Sequence, residues 1–222
     1  MNNIFIAANF KSYKTENQAK EWLNNFLAIK NIEPQLSGKE VVVCPSFTLL
    51  FSFYSYFSAN NLQVKVGAQN VSPFDEGAYT GEVNAKQINE FAKYVIIGHS
   101  ERRKYFNELD DMLIEKVKIS LTNGLTPIFC VQDKNTFVPE GVTIVAYEPV
   151  FAIGSGNPDT PENADAVASF LKSKNSKYKV LYGGSVTSNN VKSFTSKTNI
   201  DGVLVGGASL DAAEFIKIVQ NA

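Results

Sequence analysis

The sequence predicts an α/β protein built as a (β/α)8 barrel with a reduced fifth β-α unit. Three observations lead there. Eight short apolar or β-branched runs recur along the 222 residues, each ending in small or polar residues. Most of them lack strict alternation, which suits parallel strands buried on both faces. Most gaps between them carry a helix signal, and eight parallel strands with helical crossovers close naturally into a barrel. A doubly wound open sheet is the rival. When it binds dinucleotides it carries a GxGxxG turn after its first strand, whereas here the first run leads into "ANFKSYK".

The runs begin at Ile4 ("IFIAANF"), Val41 ("VVVCPS"), Val64 ("VKVGAQN"), Tyr94 ("YVIIGHS"), Thr126 ("TPIFCVQ"), Thr143 ("TIVAYEP"), Lys179 ("KVLYGGS") and Gly202 ("GVLVGGAS"). After the first, Thr15 opens the capping box "TENQ". Ala19, Trp22, Leu23, Phe26 and Leu27 then form one apolar stripe facing the sheet. After the fourth, Asn107 is expected to cap a helix with the stripe Leu109, Leu113, Val117 and Leu121, stopped by Gly124. Thr160 is expected to cap another, with Pro161 at its first position and Ala164, Val167, Ala168 and Leu171 on its buried face. Ser209 is expected to start the last, through Phe215, Ile216 and Val219.

The fifth gap is different. Between Gln132 and Thr143 stands only "DKNTFVPEGV". A parallel crossover takes about a dozen residues or more, usually a helix, and Pro139 with Gly141 disfavours one here. The fifth helix is therefore predicted to be missing, with Phe137 and Val138 covering the bare strand face.

Hydrophobic residues make up 44% of the chain and charged residues 19%, enough apolar material for a core and too much for a disordered chain. No linker-like segment divides it, so one domain over residues 1–222 is expected. The formal net charge of -1 and the pI of about 5.9 argue against a nucleic-acid partner. Cys44 and Cys130 lie inside apolar runs without CxxC spacing, so buried free thiols are expected rather than zinc. The N-terminal stretch does not read as a signal peptide, and no apolar run is long enough to span a bilayer. A cytoplasmic protein without membrane association is the expectation.

In such a barrel, chemistry gathers at the C-terminal ends of the strands. The runs end in Asn9 and Lys11; Gln69 and Asn70; His99, the only histidine, and Ser100; Glu148; Gly183, Gly184 and Ser185; and Gly206 with Gly207. A carboxylate can take a proton from carbon. A neutral imidazole can donate to a carbonyl oxygen that turns negative, and a lysine can hold an anion. Glycine N–H groups can cradle phosphate, and barrels often bind it after strands seven and eight. Singly, each residue has an ordinary structural role open to it. Together they point to proton transfer on a small phosphate ester.

Four longer strings go further. "YVIIGHSERR", "AYEPVFAIGSG", "YGGSV" and "GVLVGGASL" resemble, in order, the signature segments of the triosephosphate isomerase family. "GAQNVSPFDEGAYTGEV" resembles its third loop and "ANFK" its first. The similarity runs from near Phe5 to near Phe215, except for Lys134 to Val142. It implies the TIM barrel fold and the interconversion of dihydroxyacetone phosphate and glyceraldehyde 3-phosphate, a step of glycolysis and gluconeogenesis.

By this resemblance Glu148 is the base. His99 polarises the carbonyl, kept neutral by a helix start in "SERRKYF". Lys11 lies against the substrate's charge with Asn9 in support, and Glu101 sits close to Lys11. Gly154, Ser185, Gly206 and Gly207 give phosphate contacts, and "PVFAIGSG" is a mobile lid. The third loop, residues 69–82, implies a homodimer in which Thr80 braces the neighbour's site. No metal or organic cofactor is implied.

The chain departs from the family pattern in places. Phe10 and Phe151 stand where tryptophan is usual. "NPD" (Asn157, Pro158, Asp159) replaces the lid's usual Lys-Thr-Ala exit, and Gln132-Asp133 replaces Gly-Glu. Two alternatives stay open at this level. One is a catalytically weak barrel of the same ancestry acting as a binding protein. The other is a different phosphate-binding barrel enzyme, such as an aldolase using Lys65.

Overall fold

The computed structural model describes residues 3–29, 34, 36–154 and 156–222. Eight strands, β1 (Ile4–Asn9), β2 (Lys39–Cys44), β3 (Val64–Ala68), β4 (Tyr94–Ile97), β5 (Thr126–Val131), β6 (Ile144–Tyr147), β7 (Lys179–Tyr182) and β8 (Gly202–Val205), close into a barrel in sequence order. Every neighbouring pair is parallel, including β1 with β8. This is a (β/α)8 barrel.

Alternation along each strand separates two cores. Phe5, Ala7, Val42, Cys44, Ile96, Ile128, Cys130, Ile144, Ala146, Leu181 and Leu204 fill the barrel interior. Their neighbours in sequence, such as Ile6, Val43, Ile97, Phe129, Val145 and Val180, pack outward under the helices. Cys44 and Cys130 are buried free thiols, and burial pushes both thiol pKa values up.

Around the barrel run α1 (Glu16–Leu27), α2 (Leu50–Ala59), α3 (Ala85–Asn89), α4 (Ser100–Phe106), α5 (Asp110–Thr122), α6 (Pro161–Lys174), α7 (Val191–Thr195) and α8 (Ala212–Asn221). The Thr15 capping box forms, and Ala19, Trp22, Leu23 and Phe26 are buried. Phe10 is buried edge-on to Trp22 and Phe53, at 5.1 and 5.5 Å between centroids. Phenylalanine there keeps an aromatic contact of the kind worth about 0.5–1.5 kcal/mol beyond its burial. Thr160 caps α6, with Pro161 at its start. Among the described residues, no helix is long and apolar enough to cross a membrane.

Two helix starts differ from expectation. Asn107 does not cap α5. It ends α4 in the left-handed region at φ 51°, and Leu109 takes the N-cap position without a side-chain bond. Asn tolerates that backbone better than most residues, so its polarity marked an end rather than a beginning. Leu109 is 73% exposed and Leu121 40%, while Lys116 and Ser120 join Leu113 and Val117 on the buried face. The last helix begins at Ala212, where the Asp211 side chain accepts from Glu214 N. Ser209 lies earlier, in a 3-10 turn, its hydroxyl on Gly206 O.

No helix forms between Val131 and Ile144. An Asp133 turn fills the start of the gap, its Oδ1 accepting from Asn135 N and Thr136 N at 2.7 and 2.9 Å. Val142 is fully buried, Pro139 is buried and Val138 packs against the outer core. Phe137, expected as cover, is 52% exposed, because the buried Pro139 and Val142 take that place.

Candidate active site

The odd-even rule that builds the barrel also builds the pocket. Ile144 and Ala146 point inward along β6, so the residue two further on, Glu148, points inward at the strand's C-terminal end. Its N–H donates to Val131 O at 2.8 Å, extending the β5–β6 ladder by one bond. Asn9 closes β1 in the same inward phase as Phe5 and Ala7. Leu181 and Leu204 bring Gly183 and Gly206 to the rim.

After β4, Gly98 at φ 73° turns the chain into α4. His99 becomes the helix N-cap, and its Nδ1 accepts the Glu101 N–H at 3.2 Å. A nitrogen that accepts carries no proton, so the neutral ring holds its proton on Nε2. That Nε2 lies 3.0 Å from Glu148 Oε1, while Glu148 Oε2 accepts Ser100 N–H at 3.2 Å. Both side chains are almost fully buried.

Burial pushes the His99 pKa down and the Glu148 carboxylate pushes it up. The carboxylate wins, so His99 lies above the usual histidine value. The helix start was expected to lower it. That effect is present in the amide donated to Nδ1, which favours the neutral ring, but the carboxylate outweighs it while it sits against Nε2.

Lys11 adopts φ 51° and its N–H donates to Asn9 Oδ1 at 2.9 Å. Its ammonium pairs with Glu101 Oε1 at 2.5 Å. Its chain passes beside Gly206, where an added Cβ would stand 3.4 Å from Lys11 Cε. Gly183 is tighter still. A Cβ there would meet Glu148 Cγ at 3.0 Å and Tyr147 O at 3.4 Å.

A segment after Glu148 crosses the mouth of the pocket. It makes a 3-10 turn over Val150–Ala152, and Gly154 and Gly156 take φ of 66° and 76°. Gly156 N–H donates to Ser185 Oγ at 3.2 Å, and Ser185 O–H donates to Ala152 O at 2.6 Å. Further on, Asp159 N–H donates to the Tyr182 hydroxyl at 2.7 Å. Tyr182 is buried, stacked on Phe194 at 4.0 Å, and its phenol pKa is pushed up to about 12 by burial.

The cavity enclosed measures about 240 Å³. Asn9, Lys11, His99, Glu148, Gly154, Ser185, Gly206 and Gly207 all line it. Among the described residues of its lining, Lys11 is the one fixed cation. It therefore holds a carboxylate and an imidazole as a proton-transfer pair, a lysine for an anion, and glycine-rich turns after β7 and β8.

Not every strand-end residue arrives there. Gln69 donates to Cys44 O at 2.9 Å, and Asn70 accepts from Lys116 at 2.7 Å. Glu101 lies behind Lys11, in a hollow with Ser100 and Gln132. Thr80 is exposed in the third loop, away from this chain's own pocket. Lys65 is exposed near the N-terminal end of β3, opposite the pocket, which removes it as the Schiff-base lysine of an aldolase. The sequence reading named Ile153 and Gly156 only as part of the lid, and it missed Val186, Thr187, Leu204 and Ala208 as lining. The inward phase of β8 could have found Leu204.

The triosephosphate isomerase family profile matches residues 4–141 and 139–222. Its two segments meet at the gap that lacks a helix. Triosephosphate isomerase of Aquifex aeolicus is 40% identical over 250 residues, covering 97% of this chain and 98% of that one. Those of Carboxydothermus hydrogenoformans and Endomicrobium trichonymphae are 37% and 36% identical, over 254 and 252 residues and 99% of each chain. These alignments are longer than the 222 residues here, so the relatives carry residues that this chain lacks. With its closed barrel and this match over nearly its whole length, the chain belongs to the triosephosphate isomerase family.

Proposed function

We propose that this pocket interconverts dihydroxyacetone phosphate and D-glyceraldehyde 3-phosphate, with Glu148 as the base. The observation that carries the reading is the buried Glu148–His99 pair, 3.0 Å apart, beside Lys11. Glu148 leaves the imidazole, takes a proton from one carbon and returns it to the next. His99, protonated on Nε2, donates to the carbonyl oxygen as it becomes an enediolate oxygen. Donation from a neutral ring stabilises the charge without handing over a second positive centre. Lys11 lies against the developing negative charge, held in aim by Asn9 and Glu101.

The turns at Gly154, Ser185, Gly206 and Gly207 take the phosphate, their N–H groups serving as donors. The segment from Pro149 to Asp159 is the lid, here resting on Ser185 and Tyr182. It excludes water while the enediolate exists. A weakly active binding protein is not favoured, since the proton-transfer pair and Lys11 are intact.

The test is a coupled isomerase assay with glyceraldehyde 3-phosphate on wild type and Glu148→Gln. Wild type turns over, and the variant loses roughly 10²–10⁴-fold in kcat without unfolding, the usual range for a general base. Near-full activity in the variant removes Glu148 from this role.

The chain acts as one barrel domain over residues 1–222 in the cytoplasm, as a homodimer through loop 69–82. Exposed Phe74 and Tyr79 stack on each other at 4.2 Å in that loop, a ready apolar contact for a partner. Thr80 then reaches the neighbour's site. Analytical ultracentrifugation should give a dimer that Phe74→Asp shifts towards monomer. A monomer at every concentration in wild type would sink this part.

A further inference from the structure

We propose that Asp159 is a positioning residue for the isomerisation, its carboxylate fastening the exit end of the lid to the strand that carries the base. The inference rests on the reading of the pocket above. Asp159 is 9% exposed, an uncommon place for a carboxylate, and both of its oxygens are used. Oδ1 accepts Thr160 N–H at 2.8 Å. Oδ2 accepts the Tyr147 hydroxyl at 3.2 Å and Asn163 Nδ2 at 2.6 Å.

Tyr147 directly precedes Glu148 on the strand, and Tyr182 directly precedes Gly183. Asp159 therefore ties one end of the lid to both tyrosines, one through its side chain and one through its backbone N–H. Pro158 fixes the backbone φ just before it. Elsewhere the lid rests on the Ser185 hydroxyl, which accepts from Gly156 N–H and donates to Ala152 O, both neutral hydrogen bonds. A charged acceptor makes the stronger tie, so the exit end is the firmer anchor. Burial, with the Asp159 charge second, raises the Tyr147 pKa, which keeps the phenol a donor.

A purely structural role is the competing account, since Asp159 also stands at the N-terminus of α6, where a negative charge is favourable. The two accounts differ in what the enediolate does. Under a loosened lid its oxygen re-forms a carbonyl, the double bond shifts towards the phosphate-bearing carbon, and that C–O bond breaks. The electron pair leaves with inorganic phosphate, and the remaining enol tautomerises to an α-oxoaldehyde. A helix-end role changes stability and leaves this partition alone.

The experiment measures kcat, KM and inorganic phosphate released per isomerisation for wild type, Asp159→Ala and Tyr147→Phe, with dihydroxyacetone phosphate as substrate. Asp159→Ala should lose roughly 10–10²-fold in kcat, the scale of a small misplacement of a reacting group, and release several-fold more phosphate per turnover. Tyr147→Phe should move both quantities the same way by less, and add little on top of Asp159→Ala. If Asp159→Ala does not fold, Tyr147→Phe decides alone. Unchanged kcat and phosphate release in a folded variant, whatever its Tm, overturns the proposal. Glu148→Gln run alongside separates the failures, because an active Glu148→Gln or an inactive wild type sinks the site reading and this inference with it.

Discussion

The fourth and fifth β-α units begin alike and end very differently. Both strands are apolar and parallel, and both deliver a polar turn to the same end of the barrel. After β4 the chain spends two helices and an internal ion network. Lys116 pairs with Glu108, both almost fully buried, and Arg102 reaches Glu108 at 2.7 Å. After β5 it spends one short loop closed by Pro139 and Val142. Yet both units hold up the pocket, one through His99 and the other through Val131 O under the Glu148 amide. The strand and its first turn serve the chemistry, and the outer covering serves burial, which a few apolar side chains can supply.

The comparison breaks most sharply at Lys116. Lys116→Met should cost about 3–5 kcal/mol, the range for removing one partner of a buried ion pair. Glu108 would keep only the partly exposed Arg102. Urea unfolding measures it, and a loss under 1 kcal/mol would mean that the fourth unit depends on its network no more than the fifth does on its loop.

The fifth unit should be milder and localised. Val142→Ala removes two buried methyl groups and should cost about 1.5–3 kcal/mol, transfer and cavity together. Phe137→Ser, on the exposed neighbour, should stay within about 0.5 kcal/mol. Equal effects at the two positions would mean that Phe137, not Val142, seals the strand.

The smallest effect sharpens the link between the units. The carboxylate beside Nε2 raises the His99 pKa, so Glu148→Gln should lower it relative to wild type. His99 is the only histidine, and its ring signals can be followed by NMR titration without assignment. A value that stays put would detach the imidazole from the carboxylate.

Much of the fold was legible because a parallel barrel writes each strand as a separate apolar run. The missing helix was legible too, since "DKNTFVPEGV" is too short and carries Pro139 and Gly141. Strand ends are named by the same rule, which brought the lining of the pocket within reach. Other features depend on partners far away in sequence. Lys116 and Glu108 read as surface charges until folding buries them together. Asp159 in "NPD" reads only as part of the lid's exit, and nothing local announces that Tyr147 will meet it. Asn107 and Ser209 are residues that serve helix starts and turns alike, and pattern could not choose between them.

Gly183 carries a consequence for how this sequence can drift. A methyl group at that position would meet the buried Glu148 side chain at Cγ, 3.0 Å away, and the Tyr147 carbonyl at 3.4 Å. Glu148 would absorb it, giving way by a few tenths of an ångström. Selection for folding and selection for turnover therefore part company at position 183. Alanine there presses first on the base, so its effect should fall more on the second than on the first.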